Sequence, residues 1–136
     1  MNAALATAAM QLVGTRFRLH GRDPATGLDC VGVVAEAMRR AGIAPVTPAG
    51  YRLRNASVSG LLPFARANHF EPVGAAEADV LLVMVNPVQP HLVVRTSEGF
   101  VHAHAGIGRV TYLSGTLPWP ATSGWRVPSP KQAIGN

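Results

Sequence analysis

The chain has 136 residues, 48% of them apolar and 14% charged, which suits one hydrophobic core and argues against a disordered chain. Twelve Lys and Arg against seven Asp and Glu give a formal charge of +5, a balance that suits nucleic acid, an anionic wall polymer or an acidic partner. The arginines are dispersed (Arg16/Arg18/Arg22, Arg39/Arg40, Arg52/Arg54) and only 6% of residues are aromatic, so base stacking lacks a platform and no nucleic-acid partner is expected.

In chain order, Asn2–Val13 is rich in Ala, Leu and Met and predicts an opening helix closed by Gly14. This segment has no basic leader, and no apolar run approaches the roughly 20 residues of a membrane-spanning helix. The expectation is a soluble single domain over residues 1–136, made in the cytoplasm without a signal peptide. Thr15–Leu28 carries Gly21, Pro24 and Gly27 and reads as turns. A second helix then begins at Cys30, with Asp29 as its N-cap. Val31, Val34, Met38 and Ala41 recur on one face, Arg39 and Arg40 suit the C-terminal dipole, and Gly42 supplies the stop.

Ile43–Glu77 is interrupted by Pro and Gly, with a short helix predicted around Val58–Ala67. Strands are predicted at Asp79–Val85, His91–Thr96, Gly99–His104, Arg109–Leu113 and Gly124–Val127, with turns at Asn86-Pro87 and Ser97-Glu98-Gly99. The tail Pro128–Asn136 reads as frayed. Helices first and strands afterwards predict an α+β domain with an antiparallel sheet.

Cys30 is the only cysteine, which excludes an internal disulfide and any zinc site built from several thiolates. In the first turn of a helix, unpaired N–H groups and the helix dipole favour the thiolate, and an imidazole facing it completes a thiolate–imidazolium pair. A buried structural cysteine is the alternative that position alone leaves open. His91 and His102 fall on consecutive predicted strands, where antiparallel pairing can bring them to one face, one ring orienting the other. His91, His102 and His104 are also a possible zinc set.

Four segments in order carry a family resemblance. Leu12–Pro24 with Gly27-Leu28-Asp29-Cys30-Val31-Gly32-Val33-Val34 resembles the run that opens the cysteine helix of NlpC-type cell-wall peptidases. Asp79-Val80-Leu81-Leu82-Val83, His91-Leu92-Val93-Val94 and Gly99-Phe100-Val101-His102-Ala103 are similar to that family's later strands. The lack of a leader is similar to the branch encoded among phage tail and gene-transfer-agent genes.

The resemblance implies a papain-like fold and hydrolysis of an amide in peptidoglycan stem peptides, commonly between D-γ-glutamyl and a diamino acid. It implies Cys30 as nucleophile, His91 as base, His102 as orienting group and the Cys30 N–H in an oxyanion hole. Asp29 falls where the family holds the substrate amine, and His20 could replace a missing tyrosine donor. It assigns two of the three strand histidines to the cysteine, so no metal or cofactor is expected.

Val31 replaces a common Ser, and Ala78 and Val93 replace glycines, changes that bear on substrate choice. Action at the cell wall or periplasm from a phage-like particle, with tail proteins as partners, follows from the same resemblance. Two other readings stand beside it. One is an inactive structural component docking through Pro-rich stretches such as Thr116–Pro130, and the other is a papain-like amidase of different substrate.

Overall fold

A computed structural model of the chain describes residues 1–46, 58–87 and 89–128. Helix α1 spans Ala3–Gln11, its N-terminus capped by the Asn2 side chain, which accepts the Leu5 N–H at 3.0 Å. Two-residue strands β1 (Arg22–Asp23) and β2 (Gly27–Leu28) form a small antiparallel pair inside the segment expected to be turns alone. Helix α2 follows immediately, Cys30–Arg40, with Gly42 at φ +85° beyond its end, and α3 covers Val58–Ala67.

The rest of the described chain is mostly strand: β3 (Glu71–Pro72), a 3₁₀ turn (Ala75–Glu77), β4 (Val80–Asn86), β5 (Gln89–Arg95), β6 (Gly99–His104), β7 (Arg109–Ser114) and β8 (Ala121–Arg126). These six strands form one antiparallel sheet in the order β3-β8-β4-β5-β6-β7. The five longer strands overlap the predicted ones, but β8 begins at Ala121, three residues before the expected Gly124. β3 is too short and too polar to give a signal. Of the tail Pro128–Asn136, expected to fray, residues 129–136 lie outside the described residues, as do residues 47–57.

Strand alternation sorts the apolar side chains onto two faces. Val80, Leu82, Leu92, Val94, Val101 and Ala103 join Leu5, Leu12, Val31, Val34 and Met38 of the helical layer in the main core. Leu81, Val83, Val93 and Phe100 form a smaller cluster on the opposite face, against which Leu117 and Trp119 pack. Leu117 and Trp119, from the stretch considered above as a docking surface, thus pack on the second face of the sheet, while residues 116, 118 and 120–122 remain exposed. Asp79, 1% exposed, ties the ends together: its carboxylate accepts the Asn2 N–H at 2.7 Å and the Val127 N–H at 2.9 Å.

One irregularity of the sheet prepares the site. β6 and β7 pair over six residues, from Gly99–Ser114 to His104–Arg109. β5 and β6 pair only at Val94–Val101 and Arg95–Phe100. Beyond those pairs the two strands part, and His91 and His102 sit on the diverging ends. The N-terminus of α2 meets the sheet there.

Candidate active site

The start of α2 is set by the loop before it. Gly32 lies so close to this loop that a Cβ on it would stand 2.1 Å from the Gly21 carbonyl oxygen, so only glycine permits the contact. The Asp29 carboxylate completes the junction: Oδ1 accepts the Gly32 N–H and Arg22 Nη1, each at 2.8 Å, and Oδ2 accepts the His20 N–H at 2.8 Å. The side chain is 1% exposed. All of these donors come from its own chain, so Asp29 acts as cap and ion-pair anchor. Asp29 also borders the cavity described below, where the resemblance expects the substrate contact. His20, in the left-handed region at φ +61°, is exposed and stands outside the cavity lining; the neighbouring Leu19 lines it instead.

Cys30, the first residue of α2, is 4% exposed. Its sulfur receives the backbone N–H groups of Leu92 and Val31, the first placing it against β5, one residue from His91. Burial, reinforced by the Asp29 charge, pushes the thiol up to about 12, against an ordinary value of 9.0. His91 moves the opposite way, down to about 3, because burial and the neighbouring imidazoles disfavour its cation. His102 is lowered for the same reasons, burial first and then His104. Both directions act against the expected thiolate–imidazolium pair: burial beside a carboxylate opposes the thiolate that the helix start favours, and burial opposes the imidazolium.

The histidines form a chain. His91 Nε2 and His102 Nδ1 are 3.2 Å apart, with the rings edge to face, and His102 Nε2 is 3.1 Å from the Thr111 hydroxyl. Trp119 packs against His102 with ring centroids 5.5 Å apart. His104 lies beside His102, and its Nδ1 accepts the Ile107 N–H at 3.1 Å. With the ring nitrogens of His91 and His102 directed at each other, the three imidazoles do not converge on one point. Among the described residues no group of three His, Cys, Asp or Glu is arranged to hold a metal ion.

Cys30, His91, His102 and His104 line one cavity of about 470 Å³ whose walls include Phe17, Leu19, Pro90 and Trp119. The nucleophile, base and orienting ring anticipated from sequence thus share one site. Thr111, Arg22 and Trp119 were not anticipated. Thr111 faces His102 in the β6–β7 register, a pairing that strand alternation alone does not fix. Arg22 opens the two-residue strand β1, too short to carry a periodic signature that would point to its contact with Asp29.

The chain has an α+β papain-like fold, that of NlpC/P60 proteins. It is similar in structure to NlpC1 from Trichomonas vaginalis, with a TM-score of 0.64 and 20% identity, covering 90% of this chain and 42% of that one. A lipoprotein-like NLP/P60 protein from Staphylococcus aureus gives a TM-score of 0.59 at 18% identity, over 91% of this chain and 40% of that one. The NlpC/p60 domain of the peptidoglycan hydrolase SagA gives 0.53 at 24% identity, over 84% of this chain and 89% of that domain. The chain thus spans less than half of the first two proteins and most of the SagA domain. No family model and no curated protein matches the sequence. No helix among the described residues is long and apolar enough to cross a membrane.

Proposed function

We propose that the chain is a cysteine peptidase that hydrolyses an amide bond in peptidoglycan stem peptides. One observation carries the reading: a helix-start cysteine and a hydrogen-bonded histidine pair line the same cavity, on a fold shared with a domain of a peptidoglycan hydrolase.

The geometry supports one proton route. His91 Nε2 is committed to His102, so Nδ1 is the ring nitrogen left to act as base. As the Cys30 sulfur bonds to the scissile carbonyl carbon, His91 Nδ1 takes the thiol proton, so ions form during attack rather than before it. The Cys30 N–H, which the helical ladder leaves without a carbonyl, is suited to the oxyanion. Collapse of the tetrahedral adduct breaks the C–N bond, and His91 returns the proton to the departing amine. Water then attacks the thioester, giving one proton to His91 and its hydroxyl to the acyl carbon, and the thiol re-forms as His91 releases that proton to sulfur. His102 accepts from His91 Nε2–H throughout and keeps the ring aligned.

The D-γ-glutamyl–diamino acid bond is the expected target, with delivery to the cell wall or periplasm from a phage-like particle alongside tail proteins. These finer statements rest on the sequence resemblance. Digestion of purified sacculi, with fragments identified by mass spectrometry, tests the reading. Release of stem-peptide fragments that disappears with Cys30→Ala is expected; undiminished release by that variant overturns it.

A further inference from the structure

His102 is held at both ring nitrogens. It is 5% exposed, and Thr111 stands directly opposite it in the β6–β7 register, hydroxyl 3.1 Å from Nε2. Two neutral rings in line carry two protons, and a single contact joins them, His91 Nε2 to His102 Nδ1. Only two consistent arrangements exist. In the first, both protons sit on Nε2: His91 donates to His102, His102 donates to Thr111, and His91 Nδ1 keeps a lone pair. In the second, both sit on Nδ1: Thr111 donates to His102, His102 donates to His91, and His91 Nδ1 has no lone pair for the thiol proton.

We infer that Thr111 is a positioning residue, its hydroxyl accepting the His102 Nε2–H and so holding both histidines in the arrangement that leaves His91 Nδ1 able to act as base. The inference rests on the assignment of Cys30 and His91 above. A hydroxyl can donate or accept, so its presence alone does not choose between the arrangements; its removal does. Without an oxygen at position 111, the first arrangement strands a buried N–H, whereas the second strands only a lone pair, and orphaned buried N–H groups are the rarer and costlier defect. Loss of the hydroxyl therefore drives both rings to the tautomer that cannot take the thiol proton. A wrong tautomer in an otherwise intact site is enough to cripple a histidine base.

Thr111→Val keeps the shape and the strand preference while removing the oxygen; Thr111→Ser keeps the oxygen. Two-bond ¹⁵N–¹H spectra near neutral pH read the tautomers directly. Alkylation of Cys30 by iodoacetamide reads proton acceptance without any wall substrate.

The expected wild-type spectrum has His91 and His102 both protonated on Nε2. Thr111→Val should move both protons to Nδ1, slow alkylation, and lower kcat on the order of 10- to 100-fold, as for other outer partners of functional histidines. KM should stay within about two-fold. Thr111→Ser should restore the wild-type spectrum and rates. A wild-type His102 protonated on Nδ1, or a Thr111→Val protein with unchanged tautomers and rates, overturns the inference. If the wild type fails to cut sacculi, the proposed substrate falls, while tautomers and alkylation still decide the role of Thr111.

Discussion

His91 and His102 meet edge to face, with planes 89° apart and facing nitrogens 3.2 Å apart, so one ring donates a single shared proton to the other. Any acceptor that replaces His102 Nδ1 preserves this relation, and any apolar ring destroys it. His102→Gln should therefore keep activity on the order of a tenth of wild type, its amide oxygen accepting from His91 Nε2–H. His102→Phe keeps the aromatic contact with Trp119 but offers no acceptor, and should lose on the order of 10³-fold in kcat. Steady-state hydrolysis of sacculus fragments by the three proteins checks the order. Equal losses in both variants would mean that packing, rather than the hydrogen bond, is what His102 supplies.

Burial disfavours both the thiolate and the imidazolium, and a neutral resting pair has a chemical signature. Iodoacetamide reacts with thiolate, so Cys30, pushed up to about 12, should label more slowly near neutral pH than a free thiol of pKa about 8.5. Its rate should continue to climb above pH 9, where a free thiol levels off. Asp29→Asn retains a capping oxygen but removes the charge that helps hold the thiol up, so this variant should label faster and shift its profile to lower pH. Rapid labelling of the wild type with a plateau below pH 8 would instead restore the preformed ion pair.

The same two groups shape stability. The His91 value falls from 6.5 unfolded to about 3 folded, so below 6.5 the unfolded chain binds the extra proton; the contribution is complete above 6.5 and is lost as pH falls toward 3. The Cys30 value rises from 9.0 to about 12, so its contribution is complete below 9 and is lost as pH rises toward 12. Urea midpoints measured across pH should be highest between 6.5 and 9. His91→Gln should flatten the acid limb and Cys30→Ala the alkaline one, each leaving the other in place. Parallel curves for all three proteins would show that neither group carries the dependence.

The sequence made some of this legible and hid the rest for physical reasons. Helix α2 announces itself through Asp29, the Val31/Val34/Met38 face and Gly42, because caps and periodicity are local. The catalytic candidates are visible because a lone cysteine at a helix start and histidines on two strands are individually uncommon. The ionisation state of Cys30 is not visible, because it depends on burial and on which charges surround the sulfur, and both are set by tertiary packing. The anchoring of Asp29 by the His20 N–H and Arg22 is equally hidden, because it depends on how the preceding loop folds back. Thr111 reaches His102 through strand register, which no single strand encodes.

Asp79 lies away from the cavity lining, which makes it a test of the frame independent of the chemistry. Its two carboxylate oxygens serve two backbone donors from opposite ends of the described chain, Asn2 N–H on Oδ1 and Val127 N–H on Oδ2. Asp79→Ala leaves both donors unsatisfied, at about 1–3 kcal/mol each, so a loss of about 3 kcal/mol is expected. That is a large share of the roughly 5–15 kcal/mol that holds an ordinary domain together. Asp79→Asn offers one carbonyl oxygen in place of two and should fall between. Urea midpoints at constant slope measure both variants. If Asp79→Ala were as stable as wild type, water would have to satisfy both donors, and the carboxylate would not be the tie between the chain's ends.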